Sequence, residues 1–150
     1  ATAHIAHDSH IDYNAINVNG VALAGHVTVG KFAVIGGLAA IHQFIHIGDH
    51  AMISGGSLVR KDVPPFTKAA KEPLSYVGIN SVGLRRRGFT TEKIREIQDI
   101  YRILYQKNYN TTQALGIIEA EMEATPERDE IIDFIRNSSR GVMKGYSGNY

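Results

Sequence analysis

Aliphatic residues recur in this chain every six positions, and no other feature constrains its fold so tightly. From Ile5 the steps of six read Ile5, Ile11, Asn17, Leu23, Val29, Ile35, Ile41, Ile47, Ile53 and Val59, aliphatic everywhere except Asn17. A second column four residues later (Ser9, Ala15, Val21, Val27, Ala33, Ala39, Ile45, Ala51, Ser57, Val63) is small or aliphatic throughout. A period of six matches neither the turn of an α-helix nor the two-residue alternation of a long strand; it matches a short strand followed by a turn. Three such units close a triangular coil of about 18 residues with aliphatic side chains stacked inward, the hexapeptide form of the parallel β-helix. Glycine follows the inward aliphatic at Gly30, Gly36 and Gly48, where a turn needing positive φ is the expected reason. End coils of a repeat array need caps, and the repeat begins at residue 3 with no cap before it, so further coils are expected in front.

At Asp62-Val63-Pro64-Pro65 the repeat is expected to stop, because two prolines cannot donate to a continuing ladder. The domain reading is therefore β-helix coils over residues 1–65, then an extended loop and a small α-helical domain over residues 66–150. The loop, residues 66–89, carries Lys68, Lys71 and the run Arg85-Arg86-Arg87. Three helices follow. The first is capped by Thr90 or Thr91, buries Ile94, Ile97, Tyr101 and Leu104, and ends near Lys107-Asn108. The second runs from about Thr112 with Leu115, Ile118 and Met122 on one face. The third starts at Thr125-Pro126-Glu127, threonine as cap and proline in the first turn, and carries Ile131, Phe134 and Ile135. The tail from Ser138 reads as frayed. The apolar stripes need a surface, which the end of the coil stack or a neighbouring subunit would supply.

Composition closes several functional classes. With 16 Lys+Arg against 15 Asp+Glu the net charge is +1, so a nucleic-acid role would need a local basic patch that the overall balance does not announce. The chain has no cysteine, which excludes a disulfide framework, a thiolate metal site and a cysteine nucleophile, and fits a reducing compartment. No apolar run reaches the roughly 18 residues of a membrane span and no signal peptide opens the chain, so a cytoplasmic protein without stable membrane insertion is expected.

All seven histidines, at positions 4, 7, 10, 26, 42, 46 and 50, lie inside the repeat. Residues 18 apart should stack one strand spacing, roughly 4.8 Å, apart. His7, Gly25 and Gln43 then share one column, Asp8, His26 and Phe44 the next, and Ala6, Ala24 and His42 the one before, gathering His7, His26, His42 and Gln43 on one strip. Gly25 leaves room beside His7. A neutral imidazole is suited to general-base work near neutral pH. An alternative use of three imidazoles is to hold zinc with an open position, and turn histidines also serve simply to bond backbone between coils.

His4-Ile5-Ala6-His7-Asp8, Leu23-Ala24-Gly25-His26-Val27, Ile35-Gly36-Gly37, Ile41-His42-Gln43-Phe44, Asp62-Val63-Pro64-Pro65, Val77-Gly78-Ile79-Asn80 and Gly83-Leu84-Arg85-Arg86-Arg87-Gly88-Phe89 together resemble the UDP-N-acetylglucosamine acyltransferase family that opens lipid A synthesis. The resemblance runs in order from about residue 3 to 107, and after residue 110 extends only to the number and placement of helices. It implies a left-handed parallel β-helix with C-terminal helices, a homotrimer with active sites between subunits, and transfer of a (3R)-hydroxyacyl group from acyl carrier protein to the 3-hydroxyl of UDP-N-acetylglucosamine. No metal and no cofactor is implied beyond the carrier's phosphopantetheine thioester. By position His7 matches the general base, Asp8 is the carboxylate nearest to it in sequence, and Gly25 is the candidate backbone oxyanion donor. His4, His26, His42 and Gln43 match positions lining the sugar nucleotide and acyl groove. Asn80 and Arg87, with Arg86 beside them, match nucleotide contacts, as guanidinium groups suit a diphosphate. Gly55 matches the acyl-length ruler. The basic stretch with Lys68 and Lys71 could receive the acidic carrier. Family members open with several coils absent here, so residues 1–150 alone are expected to be inactive. Rivals on the same coil are the N-acyltransferase of the same pathway, a γ-type carbonic anhydrase with zinc, and an ice-binding solenoid; the last would need rows of threonine, and the repeat has only Thr2 and Thr28.

Overall fold

The computed structural model describes residues 4–5, 8–12, 14–17 and 20–146, with the backbone alone for His4 and Asn17. Ten two-residue strands follow one another at six-residue steps: β1 (His4–Ile5), β2 (His10–Ile11), β3 (Ile16–Asn17), β4 (Ala22–Leu23), β5 (Thr28–Val29), β6 (Val34–Ile35), β7 (Ala40–Ile41), β8 (His46–Ile47), β9 (Met52–Ile53) and β10 (Leu58–Val59). Each of β1 to β7 pairs in parallel with the strand three steps on, so His4 stands opposite Ala22, Ala22 opposite Ala40 and Ala40 opposite Leu58. The result is a three-sided parallel coil: β1-β4-β7-β10 on one side, β2-β5-β8 on the second, and β3-β6-β9 on the third.

From Val21 and Leu23 onward both columns read from the sequence point inward. Leu23, Val29, Ile35, Ile41, Ile47, Ile53 and Val59 are buried, as are Val21, Val27, Ala33, Ala39, Ile45, Ala51 and Val63, in one continuous core. Burial of such side chains contributes about 25 cal/mol for each Å² of apolar surface removed from water.

The corners correct the expectation for glycine. Positive φ falls three residues after the inward aliphatic, at Asp8, His26 and Phe44 on the first corner, Phe32, His50 and Phe66 on the second, and Gly20, Leu38 and Gly56 on the third. Gly30, Gly36 and Gly48 are not in that region. They are glycine because the next coil passes too close for a Cβ, which would sit 2.6 Å from the Asp49 nitrogen, 2.8 Å from Gly55 Cα and 2.7 Å from Pro65 Cα respectively.

Nor do the prolines end the coil. Val63 bridges to Ile47, and β11 (Thr67–Ala70) pairs in parallel with β9, Lys68 opposite Met52 and Ala69 opposite Ile53, a spacing of 16 residues in place of 18. The corner before Val63 has lost two residues, so the coil continues after the six-residue column has slipped. The segment expected as an extended loop is instead an antiparallel hairpin, β11 with β12 (Ser75–Ile79), followed by the short helix α1 (Ser81–Arg86).

Helices α2 (Thr91–Gln106), α3 (Thr111–Glu121) and α4 (Pro126–Arg136) occupy the expected places. Thr90 caps α2, Asn110 and Gln113 form a capping box on α3, and Thr125 caps α4 with Pro126 in its first turn. Their stripes bury Ile94, Ile97, Tyr101, Leu115, Ile118, Ile131 and Ile135 against Phe66, Ile79 and Leu84. Tyr101 Oη donates to the Pro65 carbonyl at 2.6 Å, fastening α2 to the coil. The tail is not frayed over its described part. Val142 bridges to Asp62, Met143 enters the coil core, and β13 (Lys144–Gly145) pairs in parallel with β12.

Candidate active site

The first corner carries the strip of predicted residues. Asp8, His26 and Phe44 stack one above another as the 18-residue column requires: the His26 and Phe44 rings lie 4.8 Å apart and 4° from parallel, and His26 Nε2 is 3.9 Å from Asp8 Oδ2. His42, Gln43 and Phe44 are exposed beside one another on the next coil. The Gly25 carbonyl accepts from Phe44 N at 3.1 Å, while no acceptor for the Gly25 N–H is found among the described residues. His4 lies on β1, opposite Ala22. His7, the predicted base, lies outside the described residues.

The second corner is an aromatic ladder. Phe32 and His50 stack at 5.3 Å, His50 and Phe66 at 5.7 Å, and Phe89 meets the edge of His50 at 5.1 Å. Burial lowers the His50 pKa below its usual value. Asn80 and Arg87 both come here. Asn80 is buried and its side chain is engaged internally: Nδ2 donates to the His50 carbonyl at 3.0 Å and Oδ1 accepts from Gly83 N at 3.3 Å, capping α1. Arg87, at the end of α1, lays its guanidinium over Phe32 at 4.1 Å, and Arg86 beside it is exposed. Gly55 is on the third corner, where a Cβ would come within 3.0 Å of the Gly37 carbonyl oxygen. The chain thus brings Asp8, Gly25, His26, His42 and Gln43 together on one corner, puts Asn80 and Arg87 on another, and leaves Gly55 on the third.

Sequence reasoning missed one group on the first corner. Arg140, from the segment read as frayed, places its guanidinium 5.5 Å from the Phe44 ring centroid. The available signal was Val142-Met143, an apolar pair after Gly141 that has to be buried somewhere. Among the described residues no group of three His, Cys, Asp or Glu is placed to share a metal ion, and no helix is long and apolar enough to cross a membrane.

Residues 62–143, more than half of the chain, match the family model described as UDP-N-acetylglucosamine O-acyltransferase, domain 2. The chain belongs to that family. The acyl-[acyl-carrier-protein]–UDP-N-acetylglucosamine O-acyltransferase of Burkholderia orbicola is 38% identical over 148 residues, covering 96% of this chain and 56% of its own length. The protein of the same name from Thiobacillus denitrificans is 36% identical over 144 residues, with the same coverage. Among solved structures, a UDP-N-acetylglucosamine acyltransferase from Bacteroides fragilis superposes with a TM-score of 0.92 at 44% identity, covering 95% of this chain and 56% of that one. The chain therefore spans a little over half the length of the family members it matches. The superposition extends the resemblance past residue 110, into the helices where the motifs gave out.

Proposed function

We propose that this chain carries the later coils and helical portion of an acyltransferase that moves a (3R)-hydroxyacyl group from acyl carrier protein to the 3-hydroxyl of UDP-N-acetylglucosamine, the first step of lipid A biosynthesis, in the cytoplasm. The observation that carries the reading is the first corner, where the Gly25 amide has no acceptor among the described residues and His26, His42 and Gln43 line one exposed strip.

In the proposed reaction His7 removes the proton of the sugar 3-hydroxyl as that oxygen forms its bond to the thioester carbonyl carbon. The carbonyl oxygen becomes an oxyanion and accepts from the Gly25 N–H. Collapse re-forms the carbonyl, breaks the carbon–sulfur bond, and the departing phosphopantetheine sulfur takes the proton from His7. Asp8 faces His26 Nε2, so its proposed role is to hold that imidazole against the substrate. Asn80 positions α1, and through it Arg86 and Arg87, toward the nucleotide. His4 lines the sugar nucleotide beside His7.

A homotrimer belongs to this reading. The proposed groups occupy three corners of one coil, and only a cleft between neighbouring copies would set one corner against another. The complete protein, with and without His7→Ala, tests the proposal through transfer from (3R)-hydroxyacyl carrier protein to UDP-N-acetylglucosamine. Product from the wild type and a drop of orders of magnitude in the variant, at unchanged melting temperature, is expected. A wild type that makes no product and binds zinc would transfer the assignment to a hydratase on the same coil.

A further inference from the structure

The C-terminal segment after α4 is fastened to the coil more firmly than a linker needs to be. Ser138 Oγ donates to Asp62 Oδ2 at 2.6 Å, and Asp62 N donates to the Gly141 carbonyl at 2.9 Å. Met143 N donates to the Asp62 carbonyl at 3.0 Å, and Lys61 Nζ donates to the Arg140 carbonyl at 3.0 Å. Asp62 itself is buried, and its other oxygen accepts from His46 N at 2.8 Å. A buried carboxylate is costly unless its oxygens are satisfied, and here one oxygen anchors Asp62 within the coil at His46 while the other holds the strap at Ser138.

Arg140 sits in the middle of the fastened stretch. Its backbone is fixed on both sides while its side chain is exposed and lies over Phe44. Arg60, Arg102, Arg128 and Arg136 each face a carboxylate, but no carboxylate lies within ion-pair distance of Arg140 among the described residues. With the ring as its neighbour and no carboxylate in reach among the described residues, the guanidinium keeps N–H donors for a planar or tetrahedral oxyanion. The ring beneath it is stacked on His26, and His42 and Gln43 precede that ring in the chain.

We propose that Arg140 is a further substrate-binding residue of the first corner, taking a phosphate oxyanion of a substrate on its N–H edge. The inference rests on the function proposed above for that corner. Two substrate phosphates present the same chemistry, the diphosphate of the sugar nucleotide and the phosphodiester that carries phosphopantetheine.

The test uses the complete protein and the exposed-site variants Arg140→Gln and Arg140→Lys. Binding of UDP and of 4′-phosphopantetheine is measured separately by calorimetry, and the KM for each substrate is measured in the transfer assay. Loss of a charge-assisted pair should weaken one ligand about tenfold or more in Arg140→Gln, with Arg140→Lys intermediate because a single ammonium cannot bond in two places. The ligand that weakens names the phosphate, its KM should rise more than kcat falls, and the melting temperature should not move. Both ligands binding Arg140→Gln within about twofold of wild type, or wild type binding neither, would overturn the proposal. If the wild type transfers no acyl group yet loses UDP or phosphopantetheine binding in Arg140→Gln, the phosphate site stands and the assigned reaction falls. If transfer continues in Arg140→Gln with both KM values unchanged, the reaction stands and Arg140 falls.

Discussion

Asp62 joins two parts of the chain that are far apart in sequence, and its removal gives a quantitative test of how the strap is held. In Asp62→Ala the His46 N–H loses its acceptor at 2.8 Å and the Ser138 hydroxyl loses its acceptor at 2.6 Å. A hydrogen bond to a charged group contributes about 1.5–3 kcal/mol, and the part-buried Ser138 recovers some of its share from water. The expected loss is about 3 kcal/mol, which at ~2–4 °C per kcal/mol for a chain of this size lowers the melting temperature by about 6–12 °C. Ser138→Ala removes one of the two bonds and should cost about 1 kcal/mol. Because the two residues share a bond, the double variant should lose about 1 kcal/mol less than the sum of the single changes. The cycle is run by thermal unfolding at one pH and one protein concentration, so that any subunit association enters all four proteins equally. Strict additivity, to within about 0.3 kcal/mol, would mean that Ser138 and Asp62 are not coupled and that the strap is held without their bond.

Gly48→Ala should destabilise by about 1–3 kcal/mol or more, since its Cβ would meet the Pro65 backbone, which cannot give way. Gly116→Ala, where nothing lies within 4 Å of the new Cβ inside α3, should instead stabilise by about 0.5–1 kcal/mol; equal melting shifts for the two would refute the close-approach account. Burial, with Asp49 beside it, raises the Glu130 pKa to about 7 from an ordinary value of 4.5, so the folded protein holds this proton more tightly than the unfolded chain does. The stability this provides is complete below the unfolded value and is lost as pH rises to about 7; Glu130→Gln should therefore melt higher than wild type at pH 8 and close to it at pH 4, and a pH-independent difference would contradict the assignment. On the proposed function, Gly55→Met should shift transfer toward shorter acyl donors, because the new side chain would start 3.0 Å from the Gly37 carbonyl oxygen on the third corner; an unchanged chain-length profile would remove Gly55 from the groove.

The coil was legible because one number, the period, fixes the register: a step of 18 puts His26 on Phe44 and over Asp8 without any further information. The helices were legible because their ends carry their own chemistry, Thr90 and Thr125 bonding the first-turn amides of α2 and α4. What stayed hidden depends on contacts that no local pattern records. The two-residue deletion before Val63 shifts the inward column from residue 65 to residue 63, so the coil continues where the count says it ends. Asn80 matched a substrate contact by position, yet its amide is taken by the His50 carbonyl 30 residues away. Arg140 reaches Phe44 from a strap that Asp62, in the disrupted corner, and Lys61 tie to the coil.

The corners explain why the late part of the chain should return to the coil at all. Phe32, Phe44, His50 and Phe66 have φ between 58° and 70°, a conformation that costs a residue with a side chain roughly 1–2 kcal/mol. Asn or Gly would remove that cost, but would also remove the ring. In this conformation at one position per coil, the rings stack at 4.8–5.7 Å along a corner and offset the strain with mutual contact. They also leave flat faces for cations. Arg87 takes the face at Phe32 on the second corner and Arg140 the face at Phe44 on the first, both arginines coming from beyond the coil. The coil thus supplies stacked aromatic faces along its corners, and the segments after it supply the guanidinium groups that lie over them.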